Sequence, residues 1–226
     1  MGAAHQDALD RIDREGVLRE GIEAVEEAAN GQTRSSFFKR GGALAGAGLV
    51  VGGIPAGFAL AQGGLPKGDV KILNFALTLE YLEAAFYKEA VDKGKLSGDA
   101  ATFAKVVAAH EAAHVDALKQ TLGKKATKSP KFDFADATGK SKFLATAQTL
   151  EDTGVAAYLG QAGAIKTPAV LSAAASILPV EARHASWVRY IIGTGSNPSP
   201  APDSFEMPKD MQAVLDAVKG TGFLKG

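Results

Sequence analysis

Residues 107–118 read Val-Ala-Ala-His-Glu-Ala-Ala-His-Val-Asp-Ala-Leu, and residues 177–188 read Ile-Leu-Pro-Val-Glu-Ala-Arg-His-Ala-Ser-Trp-Val. Each contains one Glu-x-x-His, pairing Glu111 with His114 and Glu181 with His184. Positions i and i+3 share a helix face, so each motif sets a carboxylate beside an imidazole. That face is otherwise apolar: Val107 and Leu118 align with the first motif, and Ala174, Ile177 and Val188 with the second. Ionisable groups on an inward stripe need a partner that makes their burial tolerable.

Outward from these motifs, the chain divides into four long segments of helical period. The expected helices cover about 70–92, about 97 or 99 to 122, about 141–162 and 167–192. Gly94, Gly123 and Gly193 stop three of them, Ser97 and Asp99 can cap the second, and Thr167-Pro168 opens the fourth. Ile72, Phe75, Leu79, Phe86 and Ala90 form the inward stripe of the first; Leu144, Ala147, Leu150, Val155 and Leu159 form that of the third. No stretch alternates with period two, so essentially no sheet is expected. The first and third links span only a few residues and require antiparallel hairpins. The link 123–139 is long, with Phe132 and Phe134 as its pins, and can run the length of a bundle. The fold class is therefore all-α: a four-helix bundle with one crossover between helices two and three. Residues 209–218 can add a short fifth helix after a proline-rich spacer, 196–202.

The two hairpins repeat a second motif. Leu79-Glu80 precedes Tyr87 by seven residues from the glutamate, and Leu150-Glu151 precedes Tyr158 likewise. Glu80 lies 14 residues before Gly94, Glu111 14 after Ser97, Glu151 12 before Gly163 and Glu181 14 after Thr167. At about 1.5 Å per residue all four fall roughly 18–21 Å from their turns, in one layer. Four carboxylates converging in a core repel and desolvate one another unless cations hold them. Two divalent metals resolve this, with Glu80, Glu111, His114, Glu151, Glu181 and His184 as ligands, and the donor set suits Fe first and Mn second. Glu83, one turn after Glu80, is a supporting or alternate ligand position; Tyr87 and Tyr158 either fill the core or hydrogen-bond the ligand carboxylates. His110 is read as a rim histidine, Trp187 as core, and Pro179 as a break that can aim Glu181.

The order of these motifs across about 70–192 resembles ferritin-like proteins. The stretches 74–87, 143–158 and 178–188 look more narrowly like the bacterial ferritin-like and desiccation-related family, whose members are commonly exported. The resemblance implies that Glu80, Glu111, His114, Glu151 and Glu181 are metal ligands; His184, as a second imidazole, resembles bacterioferritin and rubrerythrin. The cysteine-bound iron of rubrerythrin has no counterpart, because the chain has no Cys. Manganese catalase has a similar bundle whose site typically lacks one of the four carboxylates. The activity this implies is oxidation of Fe(II) by O2 or peroxide. The alternatives are a stress-protective bundle stapled by metal and a dimanganese peroxide-dismutating enzyme.

Composition narrows the partners. Over 226 residues the formal charge is zero, and no basic stripe suited to a phosphate backbone is visible in sequence, so nucleic acid is not expected. Residues 1–32 form an acidic extension with an apolar helical spacing at Leu9, Ile12, Ile22 and Val25. Residues 33–61 read as an export segment: Thr33-Arg34-Ser35-Ser36-Phe37-Phe38-Lys39-Arg40, then an uncharged Gly- and Ala-rich run ending in Ala59-Leu60-Ala61. The segment resembles the twin-arginine signal, with Ser35 in place of the second arginine. Cleavage would leave Gln62 as the mature terminus; the alternative is a retained membrane anchor, since Ala43 to Ala61 is just long enough to span. The expected organisation is thus 1–32 extension, 33–61 signal or anchor, 62–195 bundle and 196–226 spacer with terminal helix. The expected location is outside the cytoplasmic membrane, with the export machinery as a partner and homo-oligomers compatible with the fold.

Overall fold

The structure is a computed structural model that describes residues 64–193 and 200–225. The readings of 1–32 and 33–61, and most of the spacer, lie outside these residues. Helix α1 spans Lys67–Asp92, α2 Gly98–Leu122, α3 Phe143–Ala162, α4 Pro168–Gly193 and α5 Met211–Gly220. Gly94 and Gly123 adopt φ of +60° and +54°, the left-handed geometry that ends a helix without a Cβ clash. Ser97 occupies the N-cap of α2 but its side chain accepts no capping hydrogen bond. The start of α4 is closed from a distance instead: buried Asp69 on α1 accepts from the backbone N–H of Lys166 at 2.9 Å and of Thr167 at 2.8 Å. Burial pushes the Asp69 carboxyl up, but the Thr167 side chain and these two amides outweigh it and hold it below its ordinary value.

Hydrogen bonds fix the helix directions. Tyr87 of α1 reaches Glu151 of α3, while Tyr158 of α3 reaches Glu80 of α1, so α1 and α3 run antiparallel. Since α1 and α2 form a hairpin, α2 and α3 are parallel, and the link between them is the expected crossover. Asn74 ties its first residues down, donating to Lys125 O at 3.0 Å and accepting from Thr127 N at 2.7 Å. Phe134 is buried against Phe86, with ring centroids 5.5 Å apart, and stacks with Phe132. Ala135 in this link has φ +48°, a strained conformation for a residue with a Cβ.

The core is two apolar clusters. One holds Phe86, Phe103, Phe143, Val188 and, from α5, Val214 and Val218; the other holds Leu73, Leu77, Leu118, Val170 and Ile177. On α2 and α4 the two clusters lie on opposite sides of the Glu-x-x-His motifs, so the ionisable groups sit between two apolar layers. Leu144 and Leu159 are only half-buried, and Phe143, Ala156 and Ala157 take more of the inward face of α3 than expected. Essentially no sheet forms among the described residues, as expected, apart from one short pair. Lys131–Phe132 (β1) pairs antiparallel with Leu224–Lys225 (β2), fastening the crossover to the C-terminus. Two-residue strands have no periodicity to read, and this pair joins segments more than 90 positions apart.

Candidate metal centre

Glu80, Glu111, Glu151, Glu181 and His184 are each at most 2% exposed, and His114 is 11% exposed at its side chain. Helical heights and the hairpin directions bring the six to one place. His114 Nδ1 lies 3.2 Å from Glu80 Oε2, 3.2 Å from Glu111 Oε2 and 3.0 Å from Glu181 Oε1. His184 Nδ1 lies 3.2 Å from Glu111 Oε1 and 3.2 Å from Glu151 Oε2, and 3.7 Å from Glu181 Oε2. Two ligand groups follow: Glu80, Glu111, His114 and Glu181 in one, and Glu111, Glu151, Glu181 and His184 in the other, each with donor atoms within 4.8 Å of one another. They share Glu111 and Glu181.

The donor atoms fit a pair of cations better than they fit each other. Glu111 Oε1, Glu151 Oε2, both oxygens of Glu181 and His184 Nδ1 are buried without a hydrogen-bond partner. Orphaned buried oxygens are costly, and here they face a common centre. Without metal, protons take the place of cations. Burial, then repulsion from Glu181 and Glu80, pushes the Glu111 carboxyl well up. Burial, with the Glu181 charge opposing the nearby His184, raises Glu151 to about 7. Burial acts the other way on the imidazoles, but the facing carboxylates outweigh it: His184 is raised to about 12, and His114 is also pushed strongly up. Burial also works to raise Glu181, yet contacts with His114 and His184 dominate and hold it at about 2.

The remaining oxygen of each outer carboxylate is held by the other hairpin. Tyr87 O–H donates to Glu151 Oε1 and Tyr158 O–H donates to Glu80 Oε1. Of the two readings of these tyrosines, the structure gives the hydrogen-bonded one, although both rings also pack in the core. Burial and the adjacent carboxylates push both phenols well up, so they stay protonated. Glu83 is 3% exposed and lies in the same layer, outside both ligand groups. Burial, then Glu151, Glu181, Glu111 and Glu80, raises its carboxyl well above the ordinary value. Gly154 gives it room, since a Cβ there would stand 3.4 Å from Glu83 Oε1 and 3.5 Å from Glu181 Oε2.

His110 is more than a rim residue. Its Nδ1 lies 2.8 Å from His184 Nε2, with the rings nearly parallel at 21° and centroids 5.1 Å apart. His184 Nε2–H can donate to it, so that when the imidazole is neutral, as ligation requires, Nδ1 carries the lone pair toward the carboxylate layer. Residues 110–114 spell His-Glu-x-x-His, the helical pattern in which two histidines one turn apart share a zinc. Here His110 turns to His184 instead, and Glu111 is spent inside the carboxylate layer. Trp187 packs edge-on to Phe103 at 5.2 Å, as core. Pro179 lies within an α4 that continues through it.

The model of the ferritin-like domain family matches residues 68–194 of the chain, a span that contains every residue of this centre. No curated protein matches it.

Proposed function

The chain belongs to the ferritin-like domain family, and on that footing we propose that it is an exported dimetal-carboxylate protein that oxidises Fe(II) with O2 or peroxide. The observation that carries this reading is the pair of overlapping ligand groups with Glu111 and Glu181 in common. One ion would be held by Glu80, Glu111, His114 and Glu181, the other by Glu111, Glu151, Glu181 and His184. Iron suits carboxylate-rich sites with one imidazole per ion, and manganese fits the same donors. When bound, such a pair supplies redox chemistry toward O2 or peroxide that the side chains themselves lack.

The chain's own residues do the positioning. Tyr87 and Tyr158 each hold one oxygen of an outer carboxylate and so leave the other free to face the centre. His110 holds the Nε2 edge of His184. The apolar layers above and below keep water away, and Glu83 sets a further buried carboxyl beside the ligands. Metal analysis of protein taken from its native compartment, followed by Fe(II) consumption under O2 and under peroxide, tests the reading. The Glu111→Ala/Glu181→Ala double variant should remain helical and lose stoichiometric metal and turnover together. Metal that stabilises the wild-type protein without any Fe(II) or peroxide turnover supports a stress-protective, stapled bundle instead, a reading favoured by the orphaned donor atoms. Oxygen evolution from peroxide by manganese-loaded protein would identify a catalase-like role. Export rests on the sequence of residues 33–61, and a mature terminus at Gln62 is the expected result of N-terminal sequencing.

A further inference from the structure

The two ends of the bundle differ in charge in a way the linear sequence conceals. One end is made by the start of α1, the end of α2 with the first crossover residues, and the α3–α4 link. Asp69 bonding to Lys166 and Thr167, and Asn74 bonding to Lys125 and Thr127, hold these three segments together. They bring exposed Lys67, Lys71, Lys124, Lys125, Lys128 and Lys166 to one surface. None of these six side chains forms an ion pair among the described residues, and Lys119 meets Asp116 only at 4.0 Å. The sole other acid of this end among the described residues, Asp69, is fully buried and occupied by backbone amides. At the opposite end cations and acids are interspersed: Lys93 pairs with Glu89 at 2.6 Å, Lys142 with Asp136 at 2.7 Å and Arg189 with Asp152 at 2.6 Å, while Lys95, Lys105 and Lys140 are exposed without an ion pair among the described residues.

The chain also enters at the lysine end. Leu65 is buried in the apolar cluster of that end, only three residues after Gln62, where the uncharged run beginning at Gly41 stops. Three residues reach at most about 10 Å, so whatever precedes them emerges beside these lysines. A retained apolar run would tether this end to a bilayer; cleavage before Gln62 would add an α-amino charge to it.

We propose that this lysine end docks the bundle on the surface of an anionic phospholipid bilayer. Clustered lysines beside an apolar segment gain from the negative surface potential of such a membrane, and each that reaches the surface strengthens binding roughly five-fold. The attraction decays over about 8 Å at physiological salt, so it acts only on a face in contact. The proposal does not depend on the metal chemistry.

Vesicle co-sedimentation of the full chain tests it, with pure phosphatidylcholine against about three parts phosphatidylglycerol to seven of phosphatidylcholine. Any contribution of the apolar run is common to both lipids, and the charges of residues 1–40 are common to every variant, so the change in the lipid ratio between variants reads the lysine end. Phosphatidylglycerol should raise partitioning at least ten-fold near 0.15 M salt, and high salt should remove the gain. Lys124→Gln/Lys125→Gln/Lys128→Gln should reduce the gain by roughly a hundred-fold or abolish it, with an unchanged melting curve. The control Lys95→Gln/Lys105→Gln/Lys140→Gln, of equal charge change at the other end, should keep it. Equal partitioning into both lipids overturns the proposal. So does equal loss in both triple variants, or binding to a soluble anionic polymer without binding to vesicles.

Discussion

Loading the centre with metal should expel protons, and the structure says how many. In the metal-free fold at pH 7, His114 and His184 are charged because their pKa values are pushed far above 6.5, the latter to about 12. The Glu111 carboxyl is pushed well up by burial and by Glu181 and Glu80, and Glu151, raised to about 7, is half protonated. Ligation needs neutral imidazoles and ionised carboxylates, so two divalent ions should displace at least two protons, from the imidazoles, with further release from Glu151 and Glu111. Manganese under argon avoids redox side reactions. Isothermal titration in two buffers of different ionisation enthalpy yields the proton count directly.

The same shifts dictate stability. Every group with a raised pKa holds more protons folded than unfolded, so its stabilisation is complete below its unfolded pKa and is lost as pH rises. For Glu151 that window runs from 4.5 to about 7 and amounts to about 3 kcal/mol. The imidazoles continue the loss above 6.5, at about 1.4 kcal/mol per pH unit each. Glu181 works oppositely: held at about 2, it stabilises above its ordinary 4.5, and that contribution disappears as pH falls toward 2. Metal-free protein should therefore be most stable in mild acid and weaken steadily toward pH 9, while metal-loaded protein should change little around neutrality. Release of less than one proton, with superimposable melts across that range, would refute the reasoning, because the cluster would then already be ionised or solvated.

Tyr87→Phe removes the donor to Glu151 and should weaken metal binding ten- to hundred-fold, with Tyr158→Phe doing the same through Glu80; competition against a chelator measures both, and unchanged affinity would mean the phenols only fill space. Gly160→Ala should detach the chain ahead of α5, because a Cβ there meets Lys209 O at 1.9 Å, where Lys209 N bonds to Ala156 O at 3.0 Å. A stability loss of about 3 kcal/mol or more is expected, with new protease cleavage near 200–210 as the readout. Ala135→Gly should relieve the positive φ and stabilise by about 0.5–1 kcal/mol in urea unfolding, net of glycine's larger unfolded-state entropy. A destabilised variant would mean that the Ala135 methyl matters more than its backbone strain.

Much of this architecture is legible in the sequence because helices carry position arithmetically. Four glutamates at matched distances from their turns must share a layer, and Glu-x-x-His must put two donors on one face. Link lengths alone separate the crossover topology from the simple up-and-down one. What escapes is whatever depends on geometry between helices. His110 follows the apolar Ala109 and precedes a ligand position, so its spacing suggests the rim; only the approach of α4 shows that it meets His184. A signal was available in His-Glu-x-x-His, which places His110 one turn from His114 on a shared face. Asp69 looks like an ordinary first-turn acid, and nothing local indicates that its amides come from residues 166 and 167. The lysine end is likewise spread over three segments that span about a hundred residues, each unremarkable alone.

The exchange of hydroxyls between α1 and α3 bears on how the molecule assembles. Each hairpin is built from contacts near in sequence and can zip early; the union of the two hairpins closes a far longer loop and comes late. Neither ligand group is complete within one hairpin, and each outer carboxylate depends on a phenol from the other half. A half-built chain therefore offers ions only a fragment of the cluster, and ion capture becomes a record of finished assembly. Adding metal at successive delays after dilution from denaturant would time that union from the inside, with no label on the protein.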